Sequence, residues 1–165
     1  MSYIVNYIEK LTKGVSLLTA FVLALLVLLV VYDATSRYLF SEGSTALQEL
    51  EWHFFDVVIL LSIAYALQHN AHVRVDIFYD NFSSKTKYLI NTFGLLFFVL
   101  PLSSLIIYMG IGFVEMSFMQ NEASSDPGGL EYRWLVKSLM PLSFLLLFLQ
   151  ALSELYKNFK EWSAL

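Results

Sequence analysis

The sequence predicts an all-α integral membrane protein with four transmembrane helices. Three observations predict it. Of its 165 residues, 58% are hydrophobic and only 15% charged. The mean hydropathy is +0.63. Four stretches are long and apolar enough to cross a bilayer, which takes about 20 residues each. Soluble domains carry about 25% charged residues, and 10 basic with 14 acidic side chains cannot cover a globule of this size. The surplus apolar surface must face lipid, which excludes a soluble enzyme domain. A net charge of −4 leaves no basic footprint for nucleic acid. The absence of cysteine removes disulfides, thiolate metal sites and cysteine nucleophiles together. A chain this long is expected to form one membrane domain, with spans at about 14–38, 46–69, 85–117 and 131–158.

The first span rests on the uncharged run 14–32. Lys10 and Lys13 before it resemble the start of a secretory signal, but its 19 residues exceed a signal's apolar core of about 7–15, so it is expected to stay as a span. Glu42, Gly43 and Ser44 interrupt the helix, and Thr45 followed by Gln48 predicts a capping box opening the second. That second helix is uncharged from Val57 to Asn70 and carries its ionisable residues, Asp56 included, toward one end. Ser83 and Ser84 offer caps for the third helix, whose residues from Tyr88 to Val114 carry no charge. Ser124, Ser125, Asp126, Pro127, Gly128 and Gly129 form the clearest turn in the chain. The fourth helix follows, with Arg133 and Lys137 at one end and Lys157 at the other, placed to snorkel. Pro101 and Pro141 fall inside helices three and four and are expected to bend them without ending them. Gly110 and Gly112 are expected to permit close helix packing.

Orientation follows from the flanking cations. Lys10, Lys13, Arg74, Lys85, Lys87, Lys157 and Lys160 share one side, against Arg37, Arg133 and Lys137 on the other. The positive-inside rule therefore puts both termini in the cytoplasm.

Few residues suggest chemistry. His53 and His69 lie 16 residues apart on one helix, roughly 24 Å, and His69 with His72 has no companion cluster, so neither haem nor metal is expected. The informative group is a stripe on helix two: Glu49, His53 and Asp56 at i, i+4 and i+7, with Glu51 and Trp52 beside it. Arg133 and Lys137 are the cations on the same side. Either these charges staple helix two to helix four, or they form an ion path or a docking surface. With Asp33 and Asp56 read as lying near the outer ends of their spans, an ion path lacks acids at depth. A second group, His72, Arg74 and Asp76, alternates with Val73, Val75 and Ile77, a period-two pattern suited to an interfacial segment or a partner contact.

Three runs together resemble one known family: Leu50-Glu51-Trp52-His53-Phe54-Phe55; His72-Val73-Arg74-Val75-Asp76-Ile77-Phe78-Tyr79; and Ser124-Ser125-Asp126-Pro127-Gly128-Gly129-Leu130-Glu131-Tyr132-Arg133-Trp134-Leu135-Val136-Lys137, with Pro141 and Gln150 beyond. In nearly the whole chain the sequence is similar to the small membrane subunit of the tripartite ATP-independent periplasmic (TRAP) transporters. The resemblance implies a non-enzymatic scaffold that braces a large elevator-type permease subunit. That subunit carries the Na+ and substrate sites, and a periplasmic binding protein delivers a small organic anion, a carboxylate or sulfonate. No cofactor is implied for the small subunit itself. Its setting would be the bacterial inner membrane, with lipid as the remaining partner. The family also implies a short in-plane helix after the first span, for which 33–51 is the candidate. Glu51, Trp52, His72, Arg74, Asp76, Arg133 and Lys137 are the family-matching positions. The competing reading is a self-sufficient homo-oligomeric channel or exporter, which needs a polar residue at mid-membrane.

Overall fold

The computed structural model describes residues 2–69, 79 and 82–163, and all regular structure among them is helical. Four long helices follow one another: α1 (Ser2–Phe40), α2 (Thr45–Gln68), α3 (Ser84–Met119) and α4 (Trp134–Trp162). Each is long and apolar enough to cross a membrane, so the chain is a multi-pass membrane protein. His72, Arg74 and Asp76 lie outside the described residues.

α1 starts well before the predicted span, since nothing between Ser2 and Lys13 breaks a helix. Its 39 residues make a rod of about 58 Å against a hydrocarbon core of about 30 Å. The end of α1 carries Asp33 and Arg37 at i, i+4 in an ion pair, which favours helix through to Phe40. Ser41, at φ 58°, then turns the chain, and only residues 41–44 separate α1 from α2. No separate in-plane helix therefore stands between them: residues 33–51 divide into the last turns of α1, this connection and the first turns of α2. The expected capping box is absent too. Ser44 is the N-cap without a side-chain bond, and Gln48 turns to Arg37 instead. At α3 the predicted cap forms, Ser83 accepting from the Thr86 N–H at 3.3 Å.

α3 runs through Pro101. A proline cannot donate to the carbonyl four residues back, and just ahead of it the ladder widens into a π-helical turn, Leu95–Val99. The hydroxyls of Ser103 and Ser104 donate to the Leu100 carbonyl at 3.0 and 2.8 Å, and Ser103 also donates to that of Val99 at 2.6 Å. The serine hydroxyls thus find acceptors on their own helix where lipid offers none.

α4 is the hub, packing on α3, on α2 and, toward its C-terminal end, on α1. The apolar core joins Leu67 of α2, Leu95 of α3 and Leu147 and Ala151 of α4. Elsewhere the contacts are made by small residues, which let backbones approach: Ser103, Gly110 and Ser117, a heptad apart on α3, and Ser143 on α4 are all buried. The accessible surface is 11139 Å², where a compact globule of this mass would expose about 8,300 Å². The helices are open to their surroundings, as elements clad in lipid or a partner must be.

Gly110 does what was expected of it. A Cβ there would stand 3.2 Å from Pro141 Cβ and 3.3 Å from its Cδ, whereas one at Gly112 would meet nothing. The rigid Pro141 ring cannot yield, so Gly110→Leu should destabilise the chain by about 1–3 kcal/mol, with Gly112→Leu near neutral. Thermal unfolding in detergent compares the two, and equal effects would contradict this contact.

Candidate functional site

At one end of the molecule the loop from α3 to α4 is folded onto the start of α2 around Glu49. The loop makes its own frame first. Arg133 N–H donates to the Glu122 carbonyl and Ser124 N–H to that of Leu130, both at 3.0 Å, while Asp126 N–H donates to Ser124 Oγ at 3.1 Å. Asn121, Gly128 and Tyr132 take positive φ at the bends. Glu49, only 8% exposed, then receives three donors: Ser124 Oγ and Arg133 Nη2 (3.3 Å) reach Oε1, and the Leu130 N–H reaches Oε2 at 2.6 Å. Gly129 is required here. A Cβ would lie 2.5 Å from Ser124 Cβ and 2.8 Å from Glu49 Oε2. The asp-pro-gly-gly turn is thus shaped to seat on one carboxylate.

The staple between α2 and α4 therefore exists, but with one predicted cation rather than two. Lys137 turns away from α2. It pairs with Glu122 in the loop and lies 4.2 Å from the Phe113 ring centroid. Arg133 and Lys137 stand one turn apart at the start of α4 but take different partners, Arg133 the α2 carboxylate of Glu49 and Lys137 the loop carboxylate of Glu122. The Lys137 ammonium, hydrogen-bonded to Glu122, holds that carboxyl below its ordinary value of 4.5. A depressed folded value contributes stability above the unfolded one and loses it as pH falls through the folded value. Acidification below about 4.5 should thus loosen the loop, and Glu122→Gln should flatten that limb of a stability-against-pH profile. An unchanged limb would show that Lys137 leaves Glu122 untuned.

Glu51 belongs to a different cluster, one that sequence reasoning missed. Asp33 of α1, 5% exposed, pairs through Oδ2 with Arg37. Arg37 also reaches α2, its Nη1 and Nη2 donating to the Gln48 amide oxygen at 2.7 and 2.6 Å in the orientation the hydrogen-bond network selects. Asp33 Oδ1 and Glu51 Oε1 are buried beside them without hydrogen-bond partners among the described residues. The i, i+4 spacing of Asp33 and Arg37 was the available signal. A third network ties α1 to α4 at the opposite end: Thr12 Oγ1 donates to Gln150 Oε1 at 3.0 Å, Gln150 Nε2 to Glu154 at 2.8 Å, and Lys157 pairs with both Glu154 and Glu9. Lys157 is thus an interhelical tie rather than a snorkelling cation. Its signal was Gln150, polar within an apolar run.

The rest of the stripe makes no bond into these networks, although His53 stands close enough to act on the Glu49 and Asp56 charges. His53 and Asp56 are half-buried and make no hydrogen bond or ion pair among the described residues. Trp52 is 66% exposed, touching Phe55 edge-on at 6.1 Å. Asp56 is the twelfth of the 24 residues of α2, which places it at the middle of the helix and not near its outer end. Beside it Trp52, Phe55 and Ile59, at i, i+3 and i+7, form an exposed strip on a helix whose other faces pack on α1 and α4.

Compared with curated proteins, the chain matches none. The family described as tripartite ATP-independent periplasmic transporters, DctQ component, matches residues 26–161. That stretch takes in the Asp33–Arg37 cluster, the whole α2 stripe, the loop seated on Glu49 and nearly all of α4. The chain therefore belongs to the DctQ component family, the small permease subunits of the TRAP transporters.

Proposed function

We propose that this chain is the static membrane brace of a TRAP transporter, docked through the open face of α2 to a large elevator-type permease subunit. In this reading the large subunit holds the Na+ and substrate sites. A periplasmic binding protein delivers a small organic anion, a carboxylate or sulfonate, and the chain itself takes no cofactor and performs no reaction. It sits in the bacterial inner membrane with both termini in the cytoplasm, the side favoured by the cation count.

The observation that carries the reading is Asp56, whose place at the middle of α2 also meets the need of the homo-oligomeric channel, so the two readings part on which chain faces it. An ionisable side chain at mid-membrane is costly unless it meets a partner, and such groups face protein rather than lipid. Asp56 makes no hydrogen bond or ion pair among the described residues, its one charged neighbour there being His53 a turn back on the same helix, and it lies beside an exposed apolar strip. This supports an obligate partner that lays a donor against α2. The ionised pairs at the two ends, Glu49 with Arg133 and Lys157 with Glu9 and Glu154, favour a rigid body rather than a moving one.

The chain has no cysteine, so a single introduced one reports on its neighbour. Ile59→Cys, cross-linked in membranes containing the whole transporter, is expected to give a product with the large subunit. A product of two copies of this chain instead would favour the homo-oligomeric channel. So would Na+-driven uptake by liposomes that contain this chain alone.

A further inference from the structure

Where α3 begins and α4 ends, the two helices enclose a groove of about 470 Å³. Its walls are Tyr88 and Leu89 of α3 against Leu155, Tyr156, Phe159 and Trp162 of α4. Only seven residues separate Leu155 from Trp162, a rise of about 10 Å. A transmembrane helix of a partner would need a groove running the length of the span, about 30 Å. This one is too short for that and is confined to the membrane boundary. Aromatic rings with one polar edge, such as Tyr88, Tyr156 and Trp162, suit that depth.

The aqueous end of the groove is held together and carries two lysines against one carboxylate. Tyr88 Oη donates to Glu161 Oε2 at 2.6 Å, which links the helices and engages the carboxylate at this mouth. Lys85 stands three and four residues before Tyr88 and Leu89, one turn nearer the water on the same face of α3. Lys160 stands four residues after Tyr156 on α4. Both are exposed, and neither makes an ion pair among the described residues. Lys85 also lies in the first turn of α3, where the helix dipole adds positive potential. An apolar slot with cations at its water end has the polarity of a single amphiphile with an anionic head.

We propose that the α3–α4 groove is a binding site for an anionic phospholipid, one acyl chain lying between Tyr88 and Trp162 and the phosphate held by Lys85 and Lys160. Basic pockets between transmembrane helices at the bilayer surface hold anionic headgroups by the same charge attraction. The site needs only a membrane around the chain, so it stands or falls apart from the docking of α2.

Trp162 is a built-in reporter. In the full chain carrying Trp52→Phe and Trp134→Phe it is the only tryptophan, and lipids brominated on the acyl chain quench it on contact. In phosphatidylcholine vesicles, brominated phosphatidylglycerol is expected to quench at roughly tenfold lower mole fraction than brominated phosphatidylcholine, two lysines each favouring the anion. Lys85→Gln with Lys160→Gln should bring the two lipids level while both still quench. With the lysines intact, raising the salt should erode the preference. Equal quenching by both lipids before any lysine is changed, or a preference indifferent to salt, would overturn the site. So would loss of quenching on adding the large subunit, because a protein surface would then be the occupant.

Discussion

Glu49→Ala is expected to destabilise the chain by about 3 kcal/mol, because it removes the acceptor shared by three donors and strands the Leu130 N–H, which the loop has no other way to satisfy. The carboxylate is nearly buried and takes donors from Ser124, Leu130 and Arg133. Arg133 is 35% exposed and can turn to water, so the ion pair contributes the smaller part. The Leu130 N–H, aimed into the contact at 2.6 Å, contributes more. Glu49→Gln keeps one carbonyl acceptor and should fall between wild type and alanine. Gly129→Ala attacks the same contact from the other side, its methyl meeting Ser124 and Glu49. The two changes should therefore be far from additive. Detergent thermal unfolding of both single variants and the double variant measures this, and additive losses would show that the turn and the carboxylate act independently.

The helices were legible because the bilayer imposes a length that apolar runs must meet, and the runs beginning near Gly14, Ala46, Lys85 and Glu131 all met it. The Glu49–Arg133 pair was legible for a related reason: counting spans put two residues 84 apart on one membrane side. The partner of Lys137 was not. Choosing Glu122 over the α2 carboxylates depends on a loop whose bends place Asn121 and Tyr132 at positive φ; asparagine after a helix end is a signal for that geometry, but tyrosine is not. Glu51 was grouped with the α2 charges as a family-matching position. Two residues along a helix turn the side chain by about 200°, which carries Glu51 round to α1 and Asp33. Asp56 was misplaced in depth because the charges before it, at Glu49, Glu51 and His53, looked like the end of a span. The helix starts where expected, at Thr45, but with 24 residues its midpoint falls on Asp56, the twelfth.

Asp56→Leu should act with opposite signs on the chain and on the complex. In the separate chain, leucine removes a carboxylate that no described residue satisfies at the middle of α2. Insertion scales separate leucine from aspartate at a helix centre by about 3 kcal/mol, and a half-buried site should return part of that as a higher unfolding midpoint. In the proposed docking the same change removes the acceptor that α2 would offer the large subunit. Leaving a partner's donor buried and unsatisfied costs about 1–3 kcal/mol, a loss of roughly 5- to 150-fold in association. Asp56→Asn separates two kinds of donor. If the partner offers a cation, asparagine should assemble as poorly as leucine; if it offers a hydroxyl or amide, asparagine should keep most of the affinity. Unfolding of the purified chain and co-purification with the large subunit provide the two readouts. Assembly that is indifferent to Asp56→Leu would remove the α2 face as the docking surface. A lower midpoint in the separate chain would mean that Asp56 finds its partner within this chain, leaving the open strip on α2 to lipid.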